Sequence, residues 1–328
     1  MQYNFERIKV LITSACNANC THCFRRNEKN TSTISFDKIK EIVDFGIQNG
    51  CSLFSFSGGE FFTHPDAYNI IEYCISNNVH ISILTNGLDI NVGYFAQITN
   101  NSQIDFQVSV DGLKETHDLR RGKGAFDRTT ANVAQLFDLG YKIVAKTVID
   151  ENNYKDIIAV FQMPWFSRVL VLPVAFSKIE NNMHGVPQGY RDFESIVQLI
   201  YKKQAESLAA ERRCQCYPIE LAIKYDGNVY PCTEAREHNE FLIGNILNKS
   251  ITDVLADYES KAREKFVCPE AHNAVCDSCS ANNVCNRGCR LRALRFHGDM
   301  SSPDPFNCRI FNNEYLDIPI GQLFWGEE

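Results

Sequence analysis

A chain of 328 residues has room for a large α/β unit and a smaller second module. Its formal charge of -7 gives no extended basic surface for nucleic acid. No apolar run approaches the roughly 18 residues of a membrane span, and MQYNFERIKV lacks the apolar core of a signal peptide, so a cytoplasmic protein without a membrane or nucleic-acid partner is expected.

From about residue 6 to 175, short β-branched runs alternate with longer amphipathic ones, which predicts βα units on a parallel sheet. Strands are expected over 8–13, 53–57, 80–84, 104–110, 142–149 and 169–174, with helices over 37–48, 66–77, 92–99, 126–139 and 154–163. Ser35 suits the N-cap of the first helix and Gly50 its stop. Six units fall short of the eight that close a TIM barrel, so the fold class is α/β, a partial (β/α)6 TIM-like barrel over residues 1–190 with an open side. A polar stretch over 177–190 reads as a bridging loop and 191–213 as a linking helix. From Cys214 cysteines concentrate, and 214–328 reads as a small metal-held module opening with a hairpin at Asp226-Gly227-Asn228. The basic run between Arg287 and Arg295 reads as a solvated helix face or, less simply, a binding patch.

Fourteen cysteines in a chain without an export signal point to metal, because the cytosol keeps thiols reduced. Cys16, Cys20 and Cys23 form a C-x3-C-x2-C loop after the first strand. Three thiolates there would hold three irons of a cubic cluster and leave the fourth open; structural zinc with His22 as fourth donor is the alternative. The second strand ends in Ser57-Gly58-Gly59-Glu60, where glycines allow close backbone approach and the carboxylate can accept from an ammonium. The third ends in Thr85-Asn86-Gly87, equally readable as a turn. The fourth ends in Ser109-Val110-Asp111-Gly112, again a possible turn, followed by His117-Asp118-Leu119-Arg120-Arg121. The fork of Arg121 suits a carboxylate. The tail adds Cys216-x10-Gly227-x4-Cys232, then Cys276-x2-Cys279-x5-Cys285-x3-Cys289, then Cys308.

These motifs resemble the radical S-adenosylmethionine (SAM) superfamily, and the tail array resembles its SPASM subgroup. The resemblance implies an enzyme whose N-terminal cluster, on Cys16, Cys20 and Cys23, chelates SAM and cleaves it reductively to a 5'-deoxyadenosyl radical that takes a hydrogen atom from substrate. It assigns Gly58, Gly59 and Glu60 to the SAM amino group, sets Ser109 and Arg121 against the ribose and carboxylate, groups Asn86 and Asp111 with these contacts, and puts His22 beside the adenine or in loop packing. It gives Cys216, Cys232 and Cys289 to one auxiliary cluster and Cys276, Cys279, Cys285 and Cys308 to another, with Cys214 either completing the first or leaving it an open iron. Expected cofactors are therefore SAM and three 4Fe-4S clusters. The expected substrate is a peptide or protein side chain in ribosomal peptide maturation, with a small molecule as the alternative, and the expected electron donor is a flavodoxin or ferredoxin. A non-catalytic iron-sulfur scaffold explains the tail but not the three-cysteine loop beside the Gly-Gly-Glu motif. Cys268 stands outside the pattern, as a spare ligand or a hydrogen-atom donor. Cys51 and Cys74 read as small buried hydrophobes, and Phe24, Phe61 and Phe62 as either an apolar site wall or core.

Overall fold

The computed structural model describes residues 3–23, 31–149, 153–173, 219–262, 274–285, 287–305 and 307–308. The expected loop over 177–190, the linking helix, Phe24, Cys214, Cys216 and Cys268 lie outside the described residues.

Alternating residues decide the strands: β1 (Arg7–Thr13), β2 (Leu53–Gly58), β3 (His80–Thr85), β4 (Ile104–Ser109), β5 (Lys142–Ile149) and β6 (Arg168–Pro173). Each is parallel to the one before it, so β1 to β6 stand in chain order in the sheet. Helices α1 (Phe36–Gln48), α2 (Ala67–Ser76), α3 (Val92–Phe95), α5 (Ala125–Asp138) and α6 (Ile157–Phe161) intervene, and α6 is entered through a 3-10 turn, Tyr154–Asp156. Ser35 caps α1, its hydroxyl accepting from the Lys38 amide at 3.3 Å, and Gly50 leaves the helix with a φ of 77°. α3 stops four residues short of the predicted end, and an unpredicted helix, α4 (Lys114–Arg121), follows β4.

The hairpin expected to open the second module does form, as β7 (Glu220–Ile223) and β8 (Asn228–Tyr230), but it extends the barrel sheet. β7 lies parallel on the other side of β1, and β8 and β9 (Gly244–Asn245) continue antiparallel, giving an order of β6-β5-β4-β3-β2-β1-β7-β8-β9 among the described residues. The next helix, α7 (Ile251–Ala262), sends Ile251, Val254 and Leu255 into the barrel core. Beyond it lie α8 (Ala274–Asp277), α9 (Asn282–Cys285) and α10 (Arg290–His297).

The two faces of the sheet differ. Toward the helices, Ile8, Val10, Ile12, Phe54, Phe56, Ile81, Ile83, Phe106 and Val108 are fully buried; Cys51 and Cys74 join them as expected, and Phe61 takes the core of its two readings. The opposite face is mixed, with Leu11, Leu84 and Val144 among polar side chains. Gln107 donates to Ser82 Oγ at 2.9 Å, His80 and Lys142 approach Asp105 at 3.1 and 3.4 Å, and Lys9 pairs with Glu220 at 2.8 Å. A closed TIM barrel fills this space with branched apolar side chains. Here Gln107, Ser109 and Lys146 put polar groups on the inner face at the cavity, beside Leu84 and Val148. No helix among the described residues is long and apolar enough to cross a membrane.

Candidate active site

The cysteine loop is fixed by backbone hydrogen bonds at the C-terminal end of β1. Thr13 Oγ1 meets Thr33 Oγ1 at 2.8 Å and accepts from the Ala15 amide at 3.0 Å. Ser14 and Ser32 exchange two bonds, each 2.8 Å. The end of β2 is stitched to the same loop: the amides of Gly59 and Glu60 donate to Thr13 and Ala15 carbonyls at 2.7 and 2.9 Å, and Thr63 Oγ1 adds a bond to Ala15. Gly58 permits this approach. Its φ is 149°, and a Cβ there would stand 2.3 Å from the Thr13 carbonyl oxygen.

Cys16, Cys20 and Cys23 line a cavity together with His22, Ser57, Gly58, Gly59, Glu60, Asn86, Gln107, Ser109, Arg121 and Lys146. The structure thus brings nearly all the expected N-terminal site residues to one wall. Glu60 is buried; its Oε1 accepts from Thr85 Oγ1 at 2.7 Å and the Phe62 amide at 3.3 Å, and its Oε2 accepts from the Asn86 amide at 2.6 Å. Burial pushes its carboxyl up, while the bonds from Asn86, Thr85 and Phe62 oppose that rise. A carboxylate has about four lone-pair sites, so one remains for an incoming donor. The Asn86 side chain reaches back to the cysteine loop, donating to Asn17 Oδ1 at 2.7 Å and lying 4.0 Å from Cys16 Sγ.

Asp111 does not reach that wall. The sequence grouped it with the SAM contacts; the structure buries it completely behind Arg121. Its Oδ2 accepts from Arg121 Nε at 2.7 Å, with Arg120 Nε at 3.6 Å and His22 Nε2 at 3.5 Å, and its Oδ1 accepts from the Val148 amide at 2.9 Å. Burial alone would raise its pKa, but Arg121, His22 and Arg120 together hold it well below the usual carboxylate range. Arg121 is thereby aimed at the loop, with Nη1 3.8 Å from Cys20 Sγ.

In the tail, Asp304 organises the cysteines. It is 1% exposed, accepts from the Cys289 amide at 2.7 Å and takes two bonds from Arg292, at 2.9 and 2.5 Å. Its own carbonyl accepts from the Cys308 amide at 2.9 Å. Asn307 donates to the Cys285 carbonyl at 3.3 Å and lies 3.6 Å from its sulfur. Gly288, with φ at 67°, leaves the room Asp304 needs. Arg290, expected on a solvated face, is instead buried and donates to the Met300 and Ser302 carbonyls at 3.2 Å. Burial pushes the thiols of Cys232 and Cys308 up to about 12 and that of Cys285 to about 11, so metal must displace a proton at each.

Among the described residues no group of three or more His, Cys, Asp or Glu side chains closes on a single ion. Three thiols that open onto one cavity from a single short loop are the donor set that three irons of a cube need. Two polar wall residues were not singled out from sequence, Gln107 and Lys146. Their signal was available: both lie on the strand face opposite the buried apolar residues, at alternate positions with Ser109 and Val148.

The family model described as the Radical SAM superfamily matches residues 10–163, and that of the SPASM iron-sulfur cluster-binding domain matches 214–286. The chain is 25% identical over 343 residues to the AdoMet-dependent heme synthase of Methanosarcina barkeri, spanning 90% of this chain and 94% of that one. It is 27% identical over 320 residues to the mycofactocin maturase MftC of Mycobacterium tuberculosis, spanning 90% and 80%. Its fold matches that of Streptococcus suis SuiB bound to the precursor peptide SuiA with a TM-score of 0.70 at 17% identity, over 94% of this chain and 76% of that one. The cysteine loop and the strand-end motifs thus sit on the partial barrel of a known group, and the chain is an enzyme of the radical SAM superfamily, SPASM subgroup, that binds SAM and iron-sulfur.

Proposed function

We propose that this enzyme abstracts a hydrogen atom from a peptide or protein side chain during ribosomal peptide maturation, using three 4Fe-4S clusters. The observation that carries the reading is the opening of Cys16, Cys20 and Cys23 onto the same cavity as Gly58, Gly59, Glu60, Ser109 and Arg121. When bound there, the cluster and SAM supply a low-potential electron and a carbon radical able to take a hydrogen atom. The chain's own residues do the holding. The free lone pair of Glu60 accepts the SAM ammonium, with Gly58 and Gly59 letting the backbone close in, and Asn86 locks Glu60 and the loop together. Arg121, aimed by Asp111, meets the SAM carboxylate, Ser109 meets the ribose, and His22 flanks the adenine. The auxiliary sites use Cys216, Cys232 and Cys289, completed by Cys214, and Cys276, Cys279, Cys285 and Cys308. The functional division is a barrel over 1–190, a link over 191–213 and the cluster-bearing module over 214–328. A flavodoxin or ferredoxin of the cytoplasm delivers the electron.

The maturase MftC and the peptide-bound SuiB support a peptide substrate. A second reading, a small-molecule substrate, is supported by the heme synthase relative. Anaerobic reconstitution tests the proposal: about twelve irons per chain and release of 5'-deoxyadenosine with SAM and dithionite are expected. Full iron loading without deoxyadenosine would leave an electron-transfer scaffold instead.

A further inference from the structure

Lys146 sits on the cavity wall level with Ser109, its register partner on β4, and shares that wall with the three loop cysteines. Among the described residues it makes no hydrogen bond or ion pair. Its charged neighbours have other commitments or the wrong sign: Lys9 is held by Glu220 at 2.8 Å, Arg236 is a second cation that donates to the Thr233 carbonyl at 2.5 Å, and Glu234 is an exposed residue that only partly offsets them. Burial first, then Lys9, lowers the Lys146 ammonium to about 8, which leaves it protonated at neutral pH. Lys146 is half-buried on the cavity wall, and a cation set there among cations gains from an anion that arrives beside it.

SAM does not use this charge. Its amino acid end carries one ammonium and one carboxylate, and Glu60 and Arg121 answer both. A second cation on the wall is therefore surplus to the cofactor. Glu234 and Arg236, whose charges reach Lys146, lie in the turn Thr233–Glu237 directly after Cys232, so Lys146 shares the cavity with the radical-generating loop and lies within electrostatic reach of a segment assigned to an auxiliary cluster. A substrate held at Lys146 is therefore beside the loop that takes its hydrogen atom and near the segment that would take an electron.

We propose that Lys146 anchors a carboxylate of the substrate, so that the enzyme selects substrates carrying a carboxyl group close to the carbon that is attacked. The inference rests on the radical SAM reading of the cavity and adds a substrate class to it. Binding costs no chemistry: the carboxylate and ammonium pair as charged groups, and the pairing fixes orientation.

The test uses the reconstituted full chain with SAM and no reductant. A pool of short peptides and aryl acids is offered in parallel with the same pool converted to primary amides, and retained molecules are read by mass spectrometry. The acid pool should be retained at least about tenfold better than the amide pool, K146M should abolish that preference, and K146R should restore it. Equal retention of the two pools by the unaltered protein, or a preference that survives in K146M, overturns the proposal. So does a tenfold loss of SAM affinity in K146M by equilibrium dialysis, which would give the ammonium to the cofactor. If K146M does not load iron, K146Q against K146R carries the same comparison. A missing deoxyadenosine signal from the unaltered protein would instead fault the radical reading, independently of which pool is retained.

Discussion

In the barrel, Ile8, Val10, Ile12, Phe54, Phe56, Ile81 and Ile83 are wholly buried between sheet and helices, whereas the small apolar cluster beside the tail cysteines consists of Ala222, Tyr230, Ala235, Phe241 and Leu291. Two of those five come from β7 and β8, and among the described residues over 274–308 only Leu291 belongs to it. Its helices α8 and α9 have four residues each and α10 has eight, below the length at which a helix stands alone. The barrel therefore has its own means of folding, and the described tail is ordered by Asp304. On the proposed reading one region positions its cluster, and the other would be positioned by the metal it binds.

The sharpest way to break this contrast is to remove the ligands of each region in turn. Replacing Cys16, Cys20 and Cys23 together by Ala should take deoxyadenosine formation to the uncatalysed background while leaving about eight irons per chain. The barrel's thermal midpoint should move by less than about 3 °C, since Thr13, Ser14 and Ser32 hold the loop by hydrogen bonds. Collapse of the barrel signal in that variant would show that its cluster is structural too. Anaerobic chelation should do the converse. Hydrogen exchange is expected to speed by several orders of magnitude over 274–308 and to stay slow over 104–149. Equal protection of the two regions after iron removal would erase the distinction.

A smaller effect tests whether the barrel's site is held by charge. Asp111→Asn keeps the shape but takes from the buried Arg121 the carboxylate it donates to at 2.7 Å. Breaking such a buried pair costs about 3–5 kcal/mol, read as a shift in the denaturation midpoint, and SAM affinity should fall with it because Arg121 loses its aim. A variant as stable as the parent would mean that Asp111 contributes orientation alone.

How far the sequence reached follows the same division. Strand positions were legible because β-branched and aromatic runs bury one face of the sheet against the helices, and the cysteine loop, Gly58, Gly59, Glu60, Asn86, Ser109 and Arg121 were legible because they sit at strand ends or just beyond. α4 was not. Its residues KETHDLRR show no apolar stripe: the buried side chains are His117 and Arg120, turned toward Asp111, while Leu119 points outward at 75% exposure. The β1–β7 pairing, Arg7 to Glu220, joins residues too distant in sequence for any local pattern to record. Lys146 lies in an otherwise readable strand, KIVAKTVI, but its meaning depends on what faces it across the cavity. Burial and charge balance are properties of the assembled fold.

The least of the expected effects concerns pH and separates the barrel's hub from its metal. His117 is fully buried, and its Nδ1 accepts from the Asp111 amide at 3.2 Å. Burial, then the nearby Arg121, lowers its pKa to about 4. The unfolded chain, with an ordinary histidine near 6.5, binds more protons across the interval between these values, so stability rises with pH there and is lost as pH falls from about 6.5 toward 4. The full loss is on the order of 3 kcal/mol, more than half of it reached by pH 5. Comparing iron-loaded protein with His117→Asn, which keeps an acceptor for the Asp111 amide but cannot titrate, cancels whatever the clusters contribute. The midpoint difference between pH 7 and pH 5 should shrink in the variant. If both proteins lose the same stability, acid acts on the barrel through its carboxylates or its clusters, and the histidine beneath Arg121 is only packing.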